Sequence, residues 1–276
     1  RYPLKPITYG LPIASAQVKS ALLLAGLFAD GETTIVEPSP SRDHTERMLN
    51  FLGVPVKKRG NRITIRGPLN LVAHDLEIVG DFSAASFFLT LALVLPDSKI
   101  RIKNVGINPT RAGFLEIIRK MGGVLIPSNP REVCGEPVAD IVVETSVLHN
   151  VCLGEKDIPL MIDEIPLFTL LATQADGVSE ISGAEELRHK ESDRIETISS
   201  QLNLLGAKIR IKPDGLIIEG PTKLKGARVK SFADHRIAMT LVIAGLIAQG
   251  ETTVESVDCI KISFPDFWKI LNELKQ

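Results

Sequence analysis

An internal repeat constrains this chain more than any other feature: a unit of roughly 65 to 80 residues recurs along its 276 positions. Each copy runs as an apolar helix, a Gly or Asp turn, a short β-branched strand, a second helix and a hairpin. In the first copy these are the helix from Ser15, the strand GETTIV from Gly31, the helix from Asp43 and the hairpin from Val54. The second has helices from Ser83 and Asn108, a strand from Ser98 between them, and a looser, longer hairpin ending in DIVVET. The third has helices from Glu164 and Ser192, the strand GVSEIS from Gly177, and a hairpin from Ala207 that echoes the first. A fourth opens at Asp234, continues with GETTVES from Gly250 and ends in a helical segment from Ser263, without its hairpin. The turns before the strands fall at Gly31, Asp97, Gly177 and Gly250. This period is too long for the common helical solenoids. Each unit can pack two helices on its own small sheet, so the expected class is α+β.

Local signals sharpen the elements. Asp43 with Glu46, and Ser263 with Asp266, have the spacing of a cap and a first-turn acid. Gly53, Gly122 and Gly206 stand where the second helices should stop. The first helices are apolar nearly all round (ALLLAGLFA, FFLTLALVL, LVIAGLIA), which predicts central burial. A domain boundary is expected near Val79–Gly80. Three cysteines, Cys134, Cys152 and Cys259, are too few and too scattered for a disulfide framework, and are expected to be buried small apolar residues in a reducing cytoplasm.

Thirty-two basic and 33 acidic side chains leave a formal net charge of −1, against the basic excess of a general polyanion binder. Two tyrosines and one tryptophan give little stacking surface for nucleic acid. No apolar run reaches the ~18 residues of a membrane span. GxGxxG, GxxxxGK[ST] and metal-ligand spacings are missing from the sequence, so no cofactor or metal is expected.

Basic residues nevertheless collect at the expected helix entrances: Lys19, Arg42, Arg111, Lys190, Arg194 and Arg236. A helix N-terminus already favours anions, so a cation there needs an offset, for which bound phosphate or carboxylate is the natural candidate. The plain alternative for each is a solvated surface cation in an ordinary ion pair. The densest segment is EELRHKESDR, Glu185 to Arg194, which places Lys190, Glu191 and Arg194 together at a helix entrance. A cation beside a carboxylate suits proton transfer, and an arginine can fork onto phosphate; the alternative is a charged turn capped by Ser192. Asp163 and Glu164 in MIDEIP could cap a buried helix or accept a substrate proton. Asp234 reads as an N-cap, with His235 and Arg236 after it. His44 reads as a surface or supporting histidine.

At these residues the sequence resembles the 5-enolpyruvylshikimate-3-phosphate synthase family. The matching stretches are PIASAQVKSALLLAGL, SRDHTERM, NPTR, MIDEIP, EELRHKESDR, ADHRIAM and SFPDF, in family order along essentially the whole chain. The LPxASAQVKSA form resembles the bacterial class that is less sensitive to glyphosate. The resemblance implies a two-domain, inside-out α/β barrel architecture of βαβαββ units closing over two anionic substrates. Residues 1–78 would be the last part of one domain, and 79–276 most of the other. About 150 N-terminal residues would be missing, including a closing hairpin and a lysine-serine-arginine cluster, and the chain alone would be inactive. The implied protein is a cytoplasmic, monomeric enzyme of aromatic amino acid and chorismate biosynthesis, free of cofactors, with no nucleic-acid or membrane partner and with glyphosate as inhibitor.

The implied reaction transfers an enolpyruvyl group from phosphoenolpyruvate to the 5-hydroxyl of shikimate 3-phosphate and releases phosphate. Carried over by position, Ser15, Ala16, Gln17, Ser41 and Arg42 would face shikimate 3-phosphate. Asp163 would bind the reacting hydroxyl as candidate base, Lys190 would contact the same substrate, and Glu191 would handle the proton on the enolpyruvyl side. Arg194 and Arg236 would clamp phosphoenolpyruvate, with His235 adjacent. Two positions depart from one family branch: Glu186 stands where that branch has asparagine, and Ile262 where it has a lysine, so Lys261 receives no role. The rivals are a UDP-N-acetylglucosamine enolpyruvyl transferase and a non-catalytic or RNA-end-binding protein of the same repeat.

Overall fold

The structure is a computed structural model, and it describes residues 4–69 and 71–274. The chain packs as two compact units: one holds the residues up to Val79 with Gly106–Arg111 and Asn129–Ala139, the other Gly80–Val105, Ala112–Ser128 and the rest from Asp140.

In the first unit the order is β1 (Thr8–Gly10), α1 (Ala16–Gly26), β2 (Gly31–Val36), α2 (His44–Phe51), β3 (Lys57–Arg59) and β4 (Arg62–Gly67). Alternation builds the inner strand: Ile63, Ile65 and Gly67 of β4 are buried while Arg62 and Arg66 point out. β4 pairs antiparallel with β2, placing Ile65 opposite Thr33 and Ile63 opposite Ile35, and β1 runs parallel to β2. The sheet order is therefore β1-β2-β4-β3. Leu23, Leu27, Ile35, Leu49, Ile63 and Ile65 form the core, each such buried side chain contributing about 1.5–3 kcal/mol. Gly67 fits because it has no side chain: a Cβ there would lie 2.5, 2.6 and 2.8 Å from the carbonyl oxygens of Gly26, Ala29 and Leu27.

The second unit repeats the plan. Its elements are α3 (Phe82–Val94), β5 (Lys99–Gly106), α4 (Gly113–Lys120), β6 (Val124–Val133) and β7 (Glu136–Glu144), whose hairpin end Asn129–Ala139 counts with the first unit, then β8 (Cys152–Leu153), α5 (Ile158–Met161), α6 (Ile165–Gln174), β9 (Gly177–Ile181), α7 (Arg194–Leu204), β10 (Lys208–Lys212), β11 (Gly215–Gly220), β12 (Arg228–Lys230), α8 (His235–Ile247), β13 (Thr253–Glu255), α9 (Ile260–Ser263) and α10 (Phe267–Glu273). Single turns of 3-10 helix at Ile162–Glu164 and Glu185–His189 precede α6 and α7. The sheet β8-β9-β11-β10 copies the order of the first unit. Gly31, Asp97, Gly177 and Gly250 all have positive φ, as turns before strands require. The fold is α+β.

Several local expectations are corrected. α3 and α6 are buried along almost their whole length and α8 over most of it, packed against one another, but α1 buries only Lys19, Leu23 and Gly26. Among the described residues, α1 has no sister helix in its unit to cover its outer face. The second helix of the second copy begins at Gly113, not Asn108. Pro109 steers Asn108 away from helical geometry, and the Asn108 side chain closes a turn onto the Thr110 amide at 2.9 Å. The hairpin after it is long but not loose: Cys134 and Gly135, both at positive φ, join β6 to β7 in two residues. β13 begins at Thr253, three residues later than expected.

Asp43 does not cap α2 with its side chain and instead takes Arg47, Asn108 and Thr110, while Glu46 turns inward; Ser263, expected as the cap of the last helix, ends α9, and Asp266 precedes α10 with no side-chain cap bond. Asp193, not Ser192, caps α7 by accepting the Glu196 amide at 3.0 Å. The cysteines are also corrected: Cys152 is exposed, and Cys134 and Cys259 are half-buried. Among the described residues, no helix is long and apolar enough to cross a membrane.

Candidate active site

In the second unit, four helices carry the candidate groups at or beside their N-termini. Asp81 caps α3 two residues before Ser83, Asp163 and Glu164 lead into α6, Arg194 opens α7, and Asp234 caps α8 just before His235 and Arg236. α6, α7 and α8 pack on one another, and α3 on α6 and α8, so these ends come together. The repeat brings α3, α6 and α8 together, because each is the first helix of its copy, and α7, the second helix of the third copy, adds Arg194.

Arg194 lies at the centre, 1% exposed. Its Nε donates to Asp234 Oδ2 at 2.8 Å, its Nη1 lies 3.6 Å from Asp163 Oδ1, and its Nη2 binds Glu191 Oε2. Arg236 reaches the same acid: Nε lies 3.7 Å from Asp163 Oδ1, while Nη1 donates to Ser83 Oγ at 2.9 Å and to the Asp163 carbonyl at 3.4 Å. Asp163 Oδ1 is thus flanked by two guanidinium groups. Protein carboxylates supply the offset that these helix-entrance cations need, where the sequence suggested a bound anion.

Burial would raise the Asp234 carboxyl, but the hydrogen bond and charge of Arg194 and the amides of Arg236 and Ile237 hold it below the usual aspartate range. His235 is pushed below the usual histidine range, first by burial and then by the Arg236 charge, so it stands uncharged at neutral pH. It can exchange hydrogen bonds there without adding positive charge beside Arg236.

Lys190 sits at the end of the preceding 3-10 turn, and its Nζ pairs with Glu186. The departure at position 186 therefore has a physical consequence, since a carboxylate holds the ammonium where an asparagine would leave it uncompensated. Arg188 ties the loop to the β10–β11 hairpin through the carbonyls of Lys212 and Pro213 and pairs with Asp193 at 2.8 Å. Arg188 and Asp193 of this dense segment are thus structural.

The first unit holds the remaining candidates. Ser15 caps α1 by accepting the Val18 amide at 3.4 Å, Ala16 opens the helix half-buried, and Gln17 is exposed. Ser41 is buried and Arg42 half-buried in the segment between β2 and α2, and Arg111 is buried. Lys19, expected among the anion-binding cations, is instead fully buried between Glu37 at 3.1 Å and Glu46 at 2.7 Å. His44 is a surface group, its Nδ1 2.8 Å from Glu136. Sequence reasoning missed Ser83, Glu37 and the pairing of Asp234 with Arg194. Each was legible only as a cap or a strand end, and its partner lies 40 or more positions away or on another element. Among the described residues no cluster of three or more His, Cys, Asp or Glu is placed to hold a metal.

Known proteins share about half of this sequence and the same fold. A 3-phosphoshikimate 1-carboxyvinyltransferase of Endomicrobium trichonymphae is 52% identical over 276 residues, and one of Bacillus cereus 47% identical over 271. These matches take in 99% and 98% of this chain but 64% and 63% of the relatives, so the chain spans under two thirds of their length. The EPSP synthase structure from Acinetobacter baumannii superposes on 99% of this chain and 63% of its own with a TM-score of 0.93 at 42% identity. An enolpyruvyl transferase from Streptomyces tendae shares the fold alone, at a TM-score of 0.80 and 21% identity. With a family profile matching residues 2–271, the repeat, the helix-end cluster and the motifs that compose it have one common origin: the chain belongs to the EPSP synthase (3-phosphoshikimate 1-carboxyvinyltransferase) family.

Proposed function

We propose that the protein carrying this sequence transfers the enolpyruvyl group of phosphoenolpyruvate to the 5-hydroxyl of shikimate 3-phosphate, releasing phosphate. The observation that carries this reading is the convergence of Asp163, Glu191, Arg194 and Arg236 at packed helix N-termini. In the addition step the 5-hydroxyl gives its proton to Asp163 as its oxygen bonds to the enol carbon, and the methylene carbon gains a proton from Glu191. In the elimination step the carbon–phosphate oxygen bond breaks and the new methyl group returns a proton.

Asp163 is assigned to the reacting hydroxyl and Glu191 to the proton on the enolpyruvyl carbon. Arg194 and Arg236, with His235 beside them, are assigned to phosphoenolpyruvate. A substrate bearing a carboxylate and a phosphate would compete for the guanidinium bonds now held by Asp163 and Glu191. Binding would thereby release both carboxylates for proton transfer, which couples occupancy to chemistry. For shikimate 3-phosphate we assign Ser15, Ala16, Gln17, Ser41, Arg42, Asp163 and Lys190. Glyphosate as inhibitor, a monomeric state and a cytoplasmic location belong to the same reading.

Ligand-dependent melting tests the substrate. Shikimate 3-phosphate at about a hundred times its dissociation constant is expected to add roughly 2.7 kcal/mol of stability, whereas UDP-N-acetylglucosamine or an oligonucleotide adds none. Stabilisation by the sugar nucleotide instead would overturn the assignment. Arg236→Ala is expected to raise the KM for phosphoenolpyruvate at least tenfold, the loss of about one charge-assisted hydrogen bond. An unchanged KM for that substrate in steady-state kinetics would contradict the clamp.

A further inference from the structure

The buried charges around Lys19 in the first unit do work that the proposed reaction leaves unassigned. Lys19 Nζ is fully enclosed, 3.1 Å from Glu37 Oε1 and 2.7 Å from Glu46 Oε1. Two carboxylates thus share one ammonium. Among the described residues, Glu37 Oε2 and Glu46 Oε2 accept no hydrogen bond. For stability alone this is a poor arrangement, since buried carboxylates are costly to desolvate and one ammonium offsets one of them. The second carboxylate therefore answers to another constraint.

The hydrogen bonds identify that constraint. Glu37 Oε1 accepts both the backbone amide of Ser41, at 3.2 Å, and the Ser41 hydroxyl. From the other side Lys19 Nζ donates to the Ser41 carbonyl at 3.4 Å. All three polar groups of Ser41 are thereby fixed from within the core, and Arg42 follows directly in the chain. Glu46 touches Lys19 and has no such bond to the segment.

We propose that Glu37 is a positioning residue for shikimate 3-phosphate: its carboxylate, charge-balanced by Lys19, sets the Ser41–Arg42 segment in the geometry that receives the anionic substrate. The inference rests on the assignment of Ser41 and Arg42 to that substrate. Lys19 is then the counter-ion that keeps a buried negative charge from opposing the approach of an anion. Glu46 closes the ammonium off from the core.

Glu37→Gln separates positioning from stability. It leaves Lys19 and Glu46 as a one-to-one pair, so the melting temperature is expected to hold or rise. The weaker acceptor loosens Ser41, so the KM for shikimate 3-phosphate is expected to rise about tenfold, while the KM for phosphoenolpyruvate stays within twofold. Glu37→Asp, which keeps the charge but withdraws it by one methylene, should raise the same KM. Glu46→Gln should leave both KM values unchanged. Because KM is independent of the amount of active protein, partial unfolding cannot mimic this pattern. Ser41→Ala is measured alongside. If it raises the shikimate 3-phosphate KM and Glu37→Gln does not, the positioning role is wrong while the site stands. If Ser41→Ala itself has no effect, the substrate assignment falls first. Equal rises in both KM values for Glu37→Gln would also overturn the inference.

Discussion

Asp163→Asn is expected to lower kcat about a hundredfold or more, with little effect on the folded state. The loss corresponds to removing a positioned acid–base group, which contributes about 10²–10⁴-fold. Asparagine keeps the size of the side chain and can still accept a hydrogen bond from the substrate hydroxyl, but it cannot take the proton. The geometry sharpens the expectation. Asp163 Oδ1 lies 3.6 Å from Arg194 and 3.7 Å from Arg236, so under the proposed assignment the variant also removes a carboxylate that would compete with phosphoenolpyruvate for both guanidinium groups. The KM for phosphoenolpyruvate should therefore stay level or fall while kcat collapses. A lost binding contact would give the reverse pattern. Glu191→Gln should show the same collapse through the proton on carbon, since Glu191 leans on Arg194 from a half-exposed position. Turnover near that of the parent protein at saturating substrates would reject the roles.

Much of this arrangement is legible in the sequence because the repeat doubles each signal. The strands from Gly31 and Gly177, the hairpins that follow, and the long helices α3, α6, α7 and α8 all stand where apolar periodicity places them. The leading strands β1, β8 and β12 escape notice for a physical reason. At two or three residues each they are too short to show alternation, and they exist as strands only through parallel pairing with β2, β9 and β13. The candidate site was legible as a set of residue types at helix entrances and not as a set of partners. Sequence spacing puts Arg194 at the start of a helix, but it cannot show that Asp234, 40 positions on, takes its Nε. Lys19 marks the same limit, because a lysine on an apolar helix reads as a surface or ligand cation until the fold supplies Glu37 and Glu46.

Asp234→Ala is expected to be the most destabilising single change at this site, by about 3–5 kcal/mol, the usual loss when one partner of a buried ion pair is removed. Asp234 is 0% exposed and serves two structures at once. Oδ2 accepts Arg194 Nε at 2.8 Å and the Ser192 hydroxyl at 3.1 Å, while Oδ1 caps α8 by accepting the Arg236 amide at 2.9 Å. Without it, the buried guanidinium keeps only Asp163, beyond hydrogen-bond distance, and the more exposed Glu191. Asp234→Asn should recover about 1 kcal/mol, because asparagine still caps the helix but carries no charge. Acid should expose the same interaction. The folded carboxyl titrates below its unfolded value, so its stabilisation is fully present above the ordinary aspartate range near pH 4 and is lost as pH falls through the lower folded value. The parent protein should therefore lose stability below about pH 4 more steeply than Asp234→Asn does. Urea titrations read both effects through the midpoint at constant slope. A shift of under about 1 kcal/mol for Asp234→Ala would mean that Arg194 is held by the remaining carboxylates alone, and that the cluster does not depend on the end of α8.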